Sequence, residues 1–195
     1  MKNRREVLVG MAAVAVTSCT KRREGPEAGP SDCSATDTNI EGPFYRPGAP
    51  ERSDLDQYGD AGTPLSLVGQ VFEKSCAQPL PGAVIEFWHA NPEGGYDNSS
   101  PEMRYRCRVT TDDEGRFSLN TLLPGRYLNG EVLRPRHIHV KVFTPDGTER
   151  LTTQLYMVGD PYIAGDPFVM PSLVLPFTGS ETTTMAVKDV LFVLT

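Results

Sequence analysis

Turn signals punctuate this chain at intervals too short for helices. Pro79-Leu80-Pro81-Gly82, Asn91-Pro92-Glu93-Gly94-Gly95, Asp112-Asp113-Glu114-Gly115, Pro124-Gly125 and Asp146-Gly147 divide it into short segments. Between them lie runs rich in β-branched and aromatic residues, and no stretch keeps a helical apolar period of about 3.6 residues over several turns. Strands are expected over residues 65–72, 83–89, 105–110, 116–120, 137–144, 150–156 and 184–194. Many short strands with this spacing predict an all-β fold, an antiparallel β-sandwich. The segments 91–104, 121–133 and 156–182 are long for hairpins, and long ordered loops in compact domains tend to carry function. They are expected to gather over the sheet face that carries a metal site.

That expectation comes from Arg134-Pro135-Arg136-His137-Ile138-His139, which holds two of the three histidines of the chain. Alternate side chains of a strand share a face. His137 and His139 can therefore point at one ion, while Ile138, Val140 and Val142 fill the opposite face. Imidazole suits zinc, copper and iron. The shortage of histidine excludes a cupin, which needs a later His, and a copper/zinc superoxide dismutase. A zinc hydrolase would normally add a carboxylate or a third His. Oxygen ligands remain, and Tyr96, Tyr105 and Tyr127 lie in or near the loops before the histidines. A phenolate is hard and anionic and binds Fe(III) well. A nearby positive ion overcomes the usual phenol pKa near 10.

The N-terminus reads as a targeting segment rather than part of the fold. Residues 1–18 combine a basic start with an apolar run too short to span a bilayer comfortably. Arg4-Arg5 resembles a twin-arginine export signal. Val16-Thr17-Ser18-Cys19 resembles a lipobox, which would lipidate Cys19 and tether the protein to a membrane surface. Residues 19–38 then form a polar stalk, and residues 39–195 the folded domain. The net charge of −6 becomes more negative once the basic leader is removed, which argues against a nucleic-acid partner. Export implies an oxidising compartment. Of Cys33, Cys76 and Cys107, the pair Cys76–Cys107 is expected to form a disulfide, because both lie within the predicted core.

Several segments together resemble the intradiol ring-cleavage dioxygenases. They are Glu41-Gly42-Pro43-Phe44-Tyr45-Arg46-Pro47-Gly48-Ala49-Pro50, Phe87-Trp88-His89-Ala90-Asn91 through Tyr96, Thr121-Leu122-Leu123-Pro124-Gly125-Arg126-Tyr127, and the His137/His139 segment. Leu151-Thr152-Thr153-Gln154-Leu155-Tyr156 with Gly159-Asp160-Pro161 follows in order. The resemblance covers about residues 39–175 and implies a non-haem Fe(III) centre held by Tyr96, Tyr127, His137 and His139. It implies a catechol-type substrate and O2, cleaved to a muconate-type diacid. Tyr127 would leave the iron as substrate binds and act as a base. Arg134 would stabilise the substrate by its fixed charge, and Gln154 would line the pocket. His89 is expected at a strand end near the site and not as a ligand.

The chain departs from the family pattern in three places. It lacks the helical dimerisation segment of the catechol 1,2-type enzymes, so a homodimer is left open. The interval from His139 to Gln154 is about one residue longer than the pattern, and Arg136 is bulkier than usual. A rival reading is a non-catalytic transthyretin-like binding module on the cell surface. The turn motifs alone fit it, but it gives no reason to hold Tyr96, Arg134, His137 and His139 together.

Overall fold

The computed structural model describes residues 33–74 and 76–195. The proposed export signal, the lipidation site Cys19 and most of the stalk lie outside the described residues. Eleven strands are formed among those described: β1 Pro64–Phe72, β2 Val84–Trp88, β3 Arg106–Thr110, β4 Arg116–Leu122, β5 Tyr127–Asn129, β6 Val132–Arg134, β7 His137–Phe143, β8 Glu149–Met157, β9 Val174–Leu175, β10 Thr178–Gly179 and β11 Met185–Val193. They make a four-stranded sheet, β10-β11-β1-β4, and a five-stranded sheet, β3-β2-β7-β8-β9, with β5-β6 as a separate hairpin. Most pairings are antiparallel, as expected for the predicted sandwich. The pairs β1–β11 and β8–β9 are parallel.

The seven predicted strands all form, with ends shifted by one or two residues. The hairpin β5-β6 spans residues 127–134, almost all of it within segment 121–133, which reads as loop. Its strands are three residues each, too short to show a period of two. Segment 156–182 likewise contains 3-10 turns at Ile163–Gly165 and Pro171–Leu173 and the short strands β9 and β10.

Alternation builds the core, interrupted where the β1–β11 register shifts between Leu67 and Gly69. Leu65, Leu67, Phe117, Leu119, Val187 and Phe192 from the first sheet meet Ile85, Phe87, Ile138, Val140, Val142 and Leu155 from the second, all of them buried. Each such side chain contributes roughly 1.5–3 kcal/mol by leaving water. Burying one face of β7 turns the other outward, with His137, His139 and Lys141 in register with Tyr156, Gln154 and Thr152 of β8. That outer face is also covered. Trp88 and Glu86 of β2 stand beside His139 and Lys141, and Lys141 is paired to Glu41 and Glu149 at 2.9 and 2.8 Å.

The cysteines pair differently from the expectation. Cys33 is bonded to Cys76, and Cys107 is a buried free thiol. Cys107 opposes Phe87 in β3 with its side chain in the core. Cys76 belongs to a separate small cluster with Phe72 and Val193. Both cysteines lie inside the domain, but on different clusters. Residues 33–38, assigned to the stalk from the sequence, run against the domain. The Thr36 amide donates to the Val193 carbonyl at 3.0 Å, and the Asp37 carbonyl accepts from the Thr153 hydroxyl at 2.8 Å.

Candidate active site

The period of two that packs Ile138 inward places His137 and His139 side by side outward, with ring centroids 4.8 Å apart. Both are essentially inaccessible to solvent. The His137 Nδ1–H donates to the Pro135 carbonyl at 2.7 Å. This fixes the tautomer and leaves Nε2 as a lone-pair donor. That Nε2 is buried and has no hydrogen-bond partner among the described residues. The His139 ring stacks on Trp88 at 4.8 Å and 7°. Gly42 covers it, at a position where a Cβ would stand 3.1 Å from His139 Cε1. His139 Nε2 lies 3.2 Å from the Tyr96 hydroxyl.

Two tyrosines arrive on loops that touch backbone to backbone. The Gly125 amide donates to the Asn91 carbonyl at 2.9 Å. A Cβ at Gly125 would stand 2.2 Å from the Gly94 nitrogen, and one at Gly94, with φ of +92°, would stand 2.2 Å from the Arg126 carbonyl oxygen. Only glycine allows so close an approach. It brings Tyr96 and Tyr127 edge to face with centroids 5.3 Å apart. Tyr127 is in turn 5.5 Å from His137. Phe44 stacks on Tyr96 at 4.2 Å, and its carbonyl is held by Arg106 Nη1 at 2.6 Å. Tyr96, Tyr127, His137 and His139 therefore form one cluster, in which Tyr127 and both histidines are buried and Tyr96 is half-buried. Tyr105 points elsewhere and donates to Asp60 at 2.6 Å.

Arg134 closes the cluster from below. It is 2% exposed and pairs with Asp166 through Nε. Its Nη1 donates to the Tyr127 hydroxyl at 3.4 Å, and its Nη2 to Gln154 Oε1 at 3.1 Å and the Tyr156 hydroxyl at 3.2 Å. Tyr156 donates to the same Gln154 oxygen at 2.7 Å, and Gln154 Nε2 donates to the Ile40 carbonyl at 2.8 Å. Gln154 stands directly across the β7–β8 ladder from His139. The extra residue in the interval is taken up by the hairpin, where the register shifts between Val142 and Phe143. Arg136 donates to the Pro124 carbonyl at 2.6 Å, tying the histidine strand to the Tyr127 loop. His89 lies just beyond β2 and is fully hydrogen-bonded, donating to the Ala90 carbonyl at 2.7 Å and accepting from the Thr121 hydroxyl at 2.8 Å.

Sequence reasoning missed Tyr156 and Asp166. Tyr156 follows Gln154 by two residues on a predicted strand, so a shared face was legible. Asp166 lies in a long irregular segment, where no periodicity assigns a direction.

Burial sets the electrostatics. Desolvation pushes the Tyr96 phenol well above the ordinary value, and Tyr127 upward too, with the Arg134 guanidinium partly offsetting the rise at Tyr127. Desolvation also pushes His137 down to about 4 and His139 well below its usual range. The imidazoles are thus neutral lone-pair donors at physiological pH, and each phenol becomes an anion only beside an added positive charge. Among the described residues no three His, Cys, Asp or Glu side chains gather as a metal site. The donors that converge are two imidazoles and two phenols, a set suited to a hard trivalent ion such as Fe(III). The orphaned Nε2 of His137 fits the same reading.

A family model described as Dioxygenase matches residues 40–195. The catechol 1,2-dioxygenase of Acinetobacter baylyi is 35% identical over 156 residues, 68% of this chain and 50% of that protein. The chlorocatechol 1,2-dioxygenase of Rhodococcus opacus is 34% identical over 167 residues, 72% of this chain and 64% of that protein. Among solved structures, one similar chain is the dioxygenase domain of a dioxygenase–carbohydrate-binding protein fusion from the cellulolytic bacterium Streptomyces sp. SirexAA-E. The match has a TM-score of 0.74 and 34% identity, covering 83% of this chain and 98% of that one. The 3-chlorocatechol 1,2-dioxygenase of Rhodococcus opacus 1CP matches with a TM-score of 0.73 and 26% identity, over 82% and 71% of the two chains. The chain spans about half the length of the curated catechol 1,2-dioxygenases it matches. With the fold, the matched span and the motif order in agreement, the chain belongs to the intradiol ring-cleavage dioxygenase family.

Proposed function

We propose that the protein is an exported, non-haem Fe(III) dioxygenase. It inserts O2 between the two hydroxylated carbons of a catechol-type aromatic and yields a muconate-type diacid. The observation that carries this reading is the convergence of Tyr96, Tyr127, His137 and His139 in one cluster with Arg134 against Tyr127. These four residues would hold the iron. When bound, Fe(III) draws electron density from a chelated catecholate and activates the ring toward O2.

The remaining work falls to the chain. Pro135 aims the His137 Nε2 lone pair through the bond at Nδ1. Trp88 and Gly42 clamp the His139 ring from two sides. The Tyr127 phenolate is the base that accepts a catechol proton at its oxygen, and Arg134 beside it favours the anionic form before the transfer. The buried Arg134 charge stabilises negative charge that develops on the substrate oxygens. Gln154 and Tyr156 fix the guanidinium plane, and Asp166 neutralises it from the far side. Phe44, Trp88 and Phe168 exclude water around the cluster. Phe168 lies under the Arg134 guanidinium at 4.8 Å.

The twin-arginine leader and the lipidation motif at Cys19 support an extracytoplasmic, membrane-tethered location. A twin-arginine route carries proteins already folded around their metal. The test is the visible spectrum of the iron-loaded protein with oxygen uptake on catechol addition. A phenolate-to-Fe(III) charge-transfer band that shifts on catechol binding is expected. A colourless protein holding one iron per chain would overturn the ligand assignment.

A further inference from the structure

Residues 33–46 run as a strap from β11 of the first sheet to β8 of the second, and reach the site at its far end. The strap begins at Cys33, bonded to Cys76 across 43 residues of sequence. The Val193 amide then donates to the Thr36 hydroxyl at 2.9 Å. The Asn39 amide donates to the Thr152 carbonyl at 2.8 Å, and its side chain to the Phe168 carbonyl at 2.7 Å. The next residues are already part of the site: the Ile40 carbonyl holds Gln154, Gly42 lies on His139, and Phe44 stacks on Tyr96.

The first half of the strap is otherwise held by polar contacts, among them Thr36 to the Leu191 carbonyl at 3.3 Å and Ser172 to the Asp37 carboxylate. Residues 33–39 read Cys-Ser-Ala-Thr-Asp-Thr-Asn, exposed or half-buried throughout, and none has a large apolar side chain. Scattered hydrogen bonds at half-exposed positions open readily. The covalent bond removes the freedom such a segment would otherwise have. Cys76 is buried beside Phe72 and Val193, whereas Cys33 is exposed. A reductant can therefore reach the bond from the Cys33 side without opening the core.

We propose that the Cys33–Cys76 disulfide is a redox-sensitive clasp that seats the strap and thereby positions Gln154 and His139 for substrate. Cys33 and Cys76 are positioning residues, and for the reaction itself the proposal rests on the dioxygenase reading. Reduction breaks the S–S bond and leaves two thiols. The two electrons come from an added phosphine, which becomes the phosphine oxide with oxygen from water.

The test compares the full chain, the same chain treated with the phosphine, and a Cys33→Ser/Cys76→Ser double variant. Amide exchange at Thr36 and Asn39 is followed in each, with calorimetric binding of 4-nitrocatechol to the iron-loaded protein. Exchange at both amides on the order of tenfold faster after reduction, with weaker nitrocatechol binding and an unchanged rate at Ile138 in the core, is the expected result. Unchanged exchange overturns the clasp. Faster exchange with unchanged binding overturns the positioning role. If the double variant does not fold, the phosphine-treated native chain decides by the same two readings. If the oxidised protein binds no catechol, the dioxygenase reading fails, and an unchanged exchange rate still sinks the clasp on its own.

Discussion

Tyr127 and Arg134 face each other across the hairpin β5-β6, paired in register, with Arg134 Nη1 donating to the Tyr127 hydroxyl at 3.4 Å. A seven-residue excursion of chain thus returns to set a permanent cation beside the phenol proposed as base. Arg134 also hydrogen-bonds the Gln154–Tyr156 pair described above, so the hairpin links that phenol to the far wall of the site.

Arg134→Gln should lower kcat/KM on catechol on the order of a hundredfold, because a positioned charge is lost from a dry site. It also leaves the Asp166 carboxylate buried without its partner, a cost of about 3–5 kcal/mol in stability. Steady-state kinetics and thermal unfolding separate the two effects. Arg134→Lys keeps the charge but not the fork that meets Asp166, Gln154 and Tyr156 together, so it should recover stability more fully than activity.

Tyr127→Phe should change the visible spectrum of the iron-loaded protein and remove the proton acceptor, leaving little turnover. Tyr105→Phe should leave the spectrum as it is, since that hydroxyl is bonded to Asp60 on another face. Recording both spectra at equal iron content tests the assignment of the phenol ligands. Equal perturbation by both substitutions would refute it.

Gly94→Ala should separate the two tyrosine loops. The residue sits at φ +92°, and the new Cβ would fall 2.2 Å from the Arg126 carbonyl oxygen. Strain and displaced backbone should cost roughly 2–3 kcal/mol. Iron stoichiometry should fall with it, because Tyr96 and Tyr127 no longer meet. Gly130→Ala is the control, as a Cβ there meets nothing within 4 Å at a comparable φ of +65°.

The His89 side chain gives a pH signature separate from the proposed ligands. Burial pushes it down to about 4 from the ordinary 6.5. The unfolded chain therefore takes up this proton near pH 6.5, and the folded chain only near pH 4. The stability contributed by neutral His89 is full above pH 6.5 and is lost as the pH falls toward 4, by about 3 kcal/mol in all. Urea denaturation of the wild type and His89→Gln across that interval, at equal metal load, should show a shallower slope for the variant. Parallel slopes would count against a buried neutral His89.

The sandwich was legible in the sequence because strand alternation is a local property. The run Ile138, Val140, Val142 had to face a core, and this alone turned His137 and His139 outward onto one side. The family resemblance carried by the motifs around Tyr96, Tyr127, Arg134 and Gln154 pointed to the same cluster. Other relationships depended on distance in space. Cys107 could not be the partner of Cys76 because the two belong to different hydrophobic clusters, and the exposed Cys33 took its place. Asp166 became the counter-charge of Arg134 only when a long irregular segment folded back 32 residues away. The hairpin holding Tyr127 against Arg134 has strands too short to carry a pattern. Periodicity fixes which way a side chain points from its own strand, so it determined the outward histidines. Which side chains from distant segments meet over that face is set by chain closure and packing, and this the tertiary structure alone decided.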